Sequence, residues 1–197
     1  PISVIWIKAR LTRSAAKRAP CWSNGVTRGG HMQDEPISGL PHGAFVGREA
    51  FRQRVRAAIL AAANERWREL VFSDADFEDW PLNERPVIEA LGTWVRQSQG
   101  LVMLARRYDG VVRTHPLFTE WRKFWSHKIE CRQCAQADAQ DLPSALWAPA
   151  WNVQRMNTVS GGGISGTDPE RQVVLRQTLD EWIKRSTAGF PATSLGL

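Results

Sequence analysis

Apolar residues set the first element. Phe51, Val55, Ile59 and Ala62 recur at three- and four-residue steps between Phe45 and about Arg66, with an alanine-rich centre. That spacing predicts a helix. Glu69-Leu70-Val71-Phe72 is short, apolar and β-favouring. Ser73, Asp74, Ala75 and Asp76 then supply turn formers, so a strand ends there. Val87, Ala90, Leu91, Trp94 and Val95 trace a complete apolar stripe behind Pro86, with Asn83 as the expected cap and Gly100 as the stop. This predicts a second amphipathic helix.

Leu101 to Ala105 is continuously apolar and of strand length, which suits a strand covered on both faces. Arg106-Arg107-Tyr108-Asp109-Gly110 reads as a polar exit. A helix is expected from Pro116, with Leu117, Phe118, Trp121, Phe124 and Trp125 on its apolar side. His127 to Arg132 alternates and predicts a strand nearer the sheet edge. Two short strand-like pieces surround Pro149, at Leu146-Trp147 and Trp151 to Val153. The Ser160 to Gly166 run reads as a flexible linker. Thr167 as cap, Pro169 in the first turn and Glu170 three positions after Thr167 open a last helix.

Strands alternating with helices predict an α/β fold: a mostly parallel sheet flanked by helices, in one domain over residues 45–197. Residues 1–44 lack either period and are expected to be disordered. The first methionine is Met32, after Gly-Gly-His, so residues 1–31 read as upstream or tag-like sequence.

Charge sharpens this picture. The chain has 26 basic and 20 acidic residues. Six of the basic ones, Lys8, Arg10, Arg13, Lys17, Arg18 and Arg28, lie in a start with no acid. Residues 32–197 are formally neutral, and this argues against a nucleic-acid partner once residues 1–31 are set aside. No apolar run has the length of a membrane span. Three cysteines, one of them Cys21 near the start, do not build a disulfide framework, so a cytoplasmic setting is expected. Most of the ten tryptophans fall on apolar faces and read as packing residues.

Phe72 to Leu82, Leu101 to Arg106, His115-Pro116, Trp121-Arg122 and Phe190 to Leu197 resemble segments of uncharacterised proteobacterial proteins. Their domain is similar to one half of the phospholipase D fold. The resemblance implies that fold, and the pairing of two copies as a homodimer. The phosphodiesterase signature, His-x-Lys followed four residues on by Asp, is missing: Pro116 follows His115 and Lys128 directly follows His127. The family's catalysis is therefore not carried over.

The candidate chemistry sits at expected strand ends. Asp74 and Asp76 follow one strand, Arg106 and Arg107 the next, and His115 heads a helix. In a parallel sheet the carboxyl ends of strands share one rim, where ligands bind. These five residues are the candidate ligand-binding set. No catalytic residue, metal site or cofactor is expected. Cys131-x-x-Cys134 with His127 lacks a fourth zinc ligand, and the glycine run lacks the Lys of a phosphate loop. The favoured reading is a non-catalytic binding domain. The alternative is a divergent phosphate- or nucleotide-handling enzyme built on Asp74, Asp76, Arg106 and His115.

Overall fold

The computed structural model describes residues 39–157 and 160–191, all within the compact unit Glu35–Leu197. The elements, in chain order, are β1 (Gly43–Phe45), α1 (Arg48–Glu65), β2 (Glu69–Asp74), α2 (Arg85–Val95), β3 (Gly100–Ala105), α3 (Asp109–Thr114) and α4 (Pro116–Phe124). They continue with β4 (Ile129–Gln133), β5 (Ser144–Trp147), β6 (Asn152–Asn157), β7 (Gly162–Gly166), α5 (Pro169–Arg185) and β8 (Thr187–Ala188). The strands form one mixed sheet in the order β1-β7-β6-β5-β2-β3-β4-β8.

The sheet is mostly antiparallel, which corrects the parallel expectation. Only β2-β3 and β3-β4 pair in parallel. The other five pairings are antiparallel. Connection length is the reason for two of these, β5-β6 and β6-β7. Parallel neighbours need a crossover of roughly a dozen residues or more. The β5–β6 connection is the short turn 148–151, closed by mutual hydrogen bonds between Ala148 and Trp151, and residues 158–161 join β6 to β7. Such links make hairpins. The helices that allow crossovers, α2 and α3–α4, separate only β2, β3 and β4.

Hydrophobic alternation then fixes the layers. Leu70, Phe72, Leu101, Met103, Ile129 and Leu146 belong to the larger core cluster, with Phe51, Val55, Ile59, Leu91, Trp94 and Phe118 of α1, α2 and α4. Val71, Leu104, Ala145 and Trp147 face the other way and pack with Leu175 and Leu179 of α5. The Leu101–Ala105 strand is thus covered on both faces, as its unbroken apolar run requires.

The glycine run is a strand, not a linker. Gly163 lies between Phe45 and β6, and a Cβ there would come within 2.4 Å of both the Gln154 carbonyl oxygen and the Phe45 ring. Glycine is what lets β1 and β6 close on β7. The ordered domain also begins before Phe45: Leu40 is buried and Gly43–Phe45 is paired with β7. The caps differ from expectation as well. Asp168, not Thr167, caps α5 by accepting from the Arg171 N–H at 3.1 Å. Asn83 accepts from the Leu117 N–H in the first turn of α4 at 3.1 Å rather than capping α2. The expectations for residues 1–38, including Met32 as a start, and for 192–197 lie outside the described residues.

Candidate functional site

The strand-end residues divide between two places. Asp74 closes β2 with its side chain on the α1 face, buried to 4% exposure. Its Oδ1 accepts from the backbone N–H groups of Asp76 and Phe77 at 3.3 and 3.2 Å. Its Oδ2 accepts from Trp80 Nε1 at 3.0 Å, from Ser144 Oγ, and from the Arg155 guanidinium at 2.6 Å. Asp74 therefore does not pair with Arg106 or Arg107, its companions in the expected rim set. Its cation is Arg155 of β6, a residue that sequence reasoning missed. The available signal was Arg155 sharing the inward parity of Val153.

Arg155 ties the group together. It donates from Nε to Ser144 Oγ at 2.7 Å and meets Asp79 at 2.7 Å. Its guanidinium lies 4.4 Å from the Phe51 ring centroid. Arg48 meets the other oxygen of Asp79 at 2.8 Å. Burial lowers the Arg155 pKa, but the charges and hydrogen bonds of Asp74 and Asp79 outweigh that and raise it overall. A buried charge is tolerated only with such partners, so this network is a structural clamp joining β2, β5 and β6.

Asp76 accepts from the Glu78 N–H at 3.1 Å and shapes the turn. His115 is also structural. It is 4% exposed, and its Nε2 lies 2.8 Å from the Phe77 carbonyl oxygen. Burial holds its pKa below the ordinary value, helped by the Arg52 charge and opposed by the Phe77 carbonyl. The contact braces Phe77, whose φ of 61° is unusual for a bulky residue.

Arg106 and Arg107 take a different course. Their backbone N–H groups donate to the Ala75 carbonyl at 3.2 and 3.4 Å, which ties the β3 exit to the β2 exit. Their guanidinium groups have no carboxylate partner among the described residues. They line a cavity of about 230 Å³ with Gln133 and Ala135, where β4 ends. The loop from Cys134 onward runs from β4 to β5 and so crosses this rim. Asp74 and His115 are not among the lining residues. Two of the five candidates therefore converge on a cavity, and the acidic and histidine members do not.

The two remaining cysteines face opposite layers: Cys131 belongs to the larger core cluster and Cys134 to the smaller. Arg122 Nε donates to Cys131 Sγ at 3.0 Å. Burial pushes the Cys131 thiol pKa up and the Arg122 charge only partly opposes it. No cluster of three or more His, Cys, Asp or Glu side chains able to hold a metal occurs among the described residues. No helix among them is long and apolar enough to cross a membrane.

The fold is thus an α/β arrangement, an eight-stranded mixed sheet flanked by helices. No protein-family model and no curated protein matches the chain. Among solved structures, it is similar to the archaeal chromatin protein TrmBL2, described as showing a novel mode of DNA binding. The TM-score is 0.56 at 11% identity, over 80% of this chain and 57% of that one. The chain therefore spans little more than half of that protein's length, and the likeness concerns the fold.

The neighbour corrects one expectation. Formal neutrality of residues 32–197 argued against nucleic acid, yet a protein with this fold binds DNA. The flaw lies in counting charges without placing them. Asp74, Asp79 and Glu84 are engaged by Arg155, Arg48, Arg52 and Arg56. Arg106 and Arg107 are left uncompensated at the rim.

Proposed function

We propose that this domain works by binding a phosphate-bearing ligand at the Arg106–Arg107 cavity. One observation carries the reading: two successive arginines line a cavity at the carboxyl ends of parallel strands, and neither has a carboxylate partner among the described residues. Neighbouring cations repel, and an anion between them removes that repulsion. Guanidinium groups also match phosphate oxygens in geometry and charge. The acid that the enzymatic alternative requires, Asp74, is held by Arg155, which favours binding over catalysis. A phosphate group can come from a small nucleotide or from a nucleic-acid backbone, and the DNA-binding neighbour makes duplex DNA a necessary arm of the test.

Isothermal titration with inorganic phosphate, a nucleoside monophosphate and a DNA duplex addresses this directly. The Arg106→Ala/Arg107→Ala variant should weaken the bound ligand about tenfold or more, as expected for lost charge-assisted hydrogen bonds. Unchanged affinity in the variant, or no binding of any arm to the parent, contradicts the reading. Pairing of two copies, expected from the half-domain resemblance, has its own readout. Light scattering at high concentration should give twice the chain mass, and a strict monomer removes that element.

A further inference from the structure

The arginine cavity has a larger neighbour. A second cavity of about 490 Å³ is lined by Gln133, Cys134, Ala135, Gln136, Ala137, Asp141, Trp182, Arg185 and Thr187. Gln133 and Ala135 are walls of both cavities. The two differ in chemistry. The smaller one is lined by two arginines, a glutamine and an alanine. The larger one adds Trp182, Cys134 and Ala137, together with Arg185, whose guanidinium lies 5.9 Å from the Trp182 ring centroid.

The position of each wall follows from the fold. Trp182 sits in the last turns of α5 and is only half-buried, although Leu175 and Leu179 on the same helix are buried against the sheet. The Trp182 carbonyl accepts weakly from Cys134 Sγ at 3.7 Å, which holds the start of the rim loop against the end of α5. Ala137 and Leu142 anchor that loop in the smaller core cluster. The half-exposed indole, the rim loop and the arginine pair therefore border one continuous stretch of the molecule.

From this juxtaposition we infer that the ligand is a mononucleotide, with its phosphate between Arg106 and Arg107 and its base against Trp182 across Gln133 and Ala135. This rests on the phosphate-binding reading and deepens it. The combined space falls in the usual range for small-molecule sites, roughly 300–1,000 Å³. An indole face takes a planar heteroaromatic ring of any kind. The Asp141 carboxylate accepts hydrogen bonds and the Gln136 amide both donates and accepts. Both stand in the same wall, where the edge of a base has exocyclic amines and carbonyls to satisfy.

Calorimetry on the full chain with adenosine monophosphate, ribose 5-phosphate and inorganic phosphate tests the inference without relying on a variant. Adenosine monophosphate should bind about tenfold or more tighter than ribose 5-phosphate, the contribution of stacking one base. Trp182→Ala should bring the two together, and Trp182→Phe should restore most of the difference. Equal affinity for adenosine monophosphate and ribose 5-phosphate in the parent protein, both lost in Arg106→Ala/Arg107→Ala, overturns the base pocket and leaves phosphate binding standing. Affinities that ignore the arginine substitutions overturn both.

Discussion

Arg155 and Asp74, 81 positions apart in sequence, meet at 2.6 Å with side-chain exposures of 5% and 4%. This pair joins the last parallel strand to the antiparallel half of the sheet through Ser144 of β5. Removing one partner strands the other in a site with little access to water. Arg155→Met should therefore destabilise the fold by about 3–5 kcal/mol in chemical denaturation. Arg48→Met, which removes the 72%-exposed partner of Asp79, should change stability by about 1 kcal/mol or less.

His115 makes stability depend on pH in a definite direction. Its folded-state pKa lies below the ordinary 6.5, chiefly through burial. The unfolded chain then binds more protons than the folded one as pH falls below that value. The histidine's contribution is intact above 6.5 and is lost on acidification through the lower folded-state value. Denaturant midpoints measured across that window should fall in the parent protein. His115→Gln should flatten this part of the profile, and an unchanged slope would show that other groups dominate it.

Gly163 has no room for a methyl group, because the Gln154 carbonyl oxygen and the Phe45 ring would each lie 2.4 Å from a Cβ. Gly163→Ala should force β1 or β6 away from β7. The expected loss is about 1–3 kcal/mol by denaturant unfolding, with faster amide exchange in Gly43–Phe45 than in β2 or β3.

Phe190 fastens the chain after β8. Its ring stacks on Tyr108 at 4.8 Å between centroids, and the Arg122 guanidinium lies 4.1 Å from its centroid. Its carbonyl accepts from Arg122 Nη2. Phe190→Ala should lower stability by about 1–3 kcal/mol and speed amide exchange in β4, the strand that β8 covers.

α1, α2, α5 and the three parallel strands were legible because their apolar periods are local, whereas α3 (Asp109–Thr114) fell in a stretch read as a polar exit, and Leu117 and Phe124, expected on the apolar side of α4, are exposed. Leu101–Ala105 announced burial on two faces, and Phe51, Val55 and Ile59 announced the α1 face. The antiparallel half was legible only as fragments around Leu146 and Val153. Its topology depends on two short connections, not on periodicity. Gly162–Gly166 was misread because Gly163 serves close packing by Phe45, a contact invisible in one segment. At the candidate site, the shared rim of neighbouring parallel strand ends suggested that Asp74 would lie with Arg106 and Arg107. The antiparallel arrangement of β5 and β6 instead brought Arg155 to Asp74 and left the two rim arginines unpaired.

The central claim is that those two guanidinium groups hold a phosphate group, and an NMR titration with inorganic phosphate tests it most directly. The account predicts saturable shifts of the amides of Arg106, Arg107, Gln133 and Ala135 at one common affinity, with Asp74 and His115 unmoved. Shifts confined to other parts of the chain, or none at saturating phosphate, would contradict it.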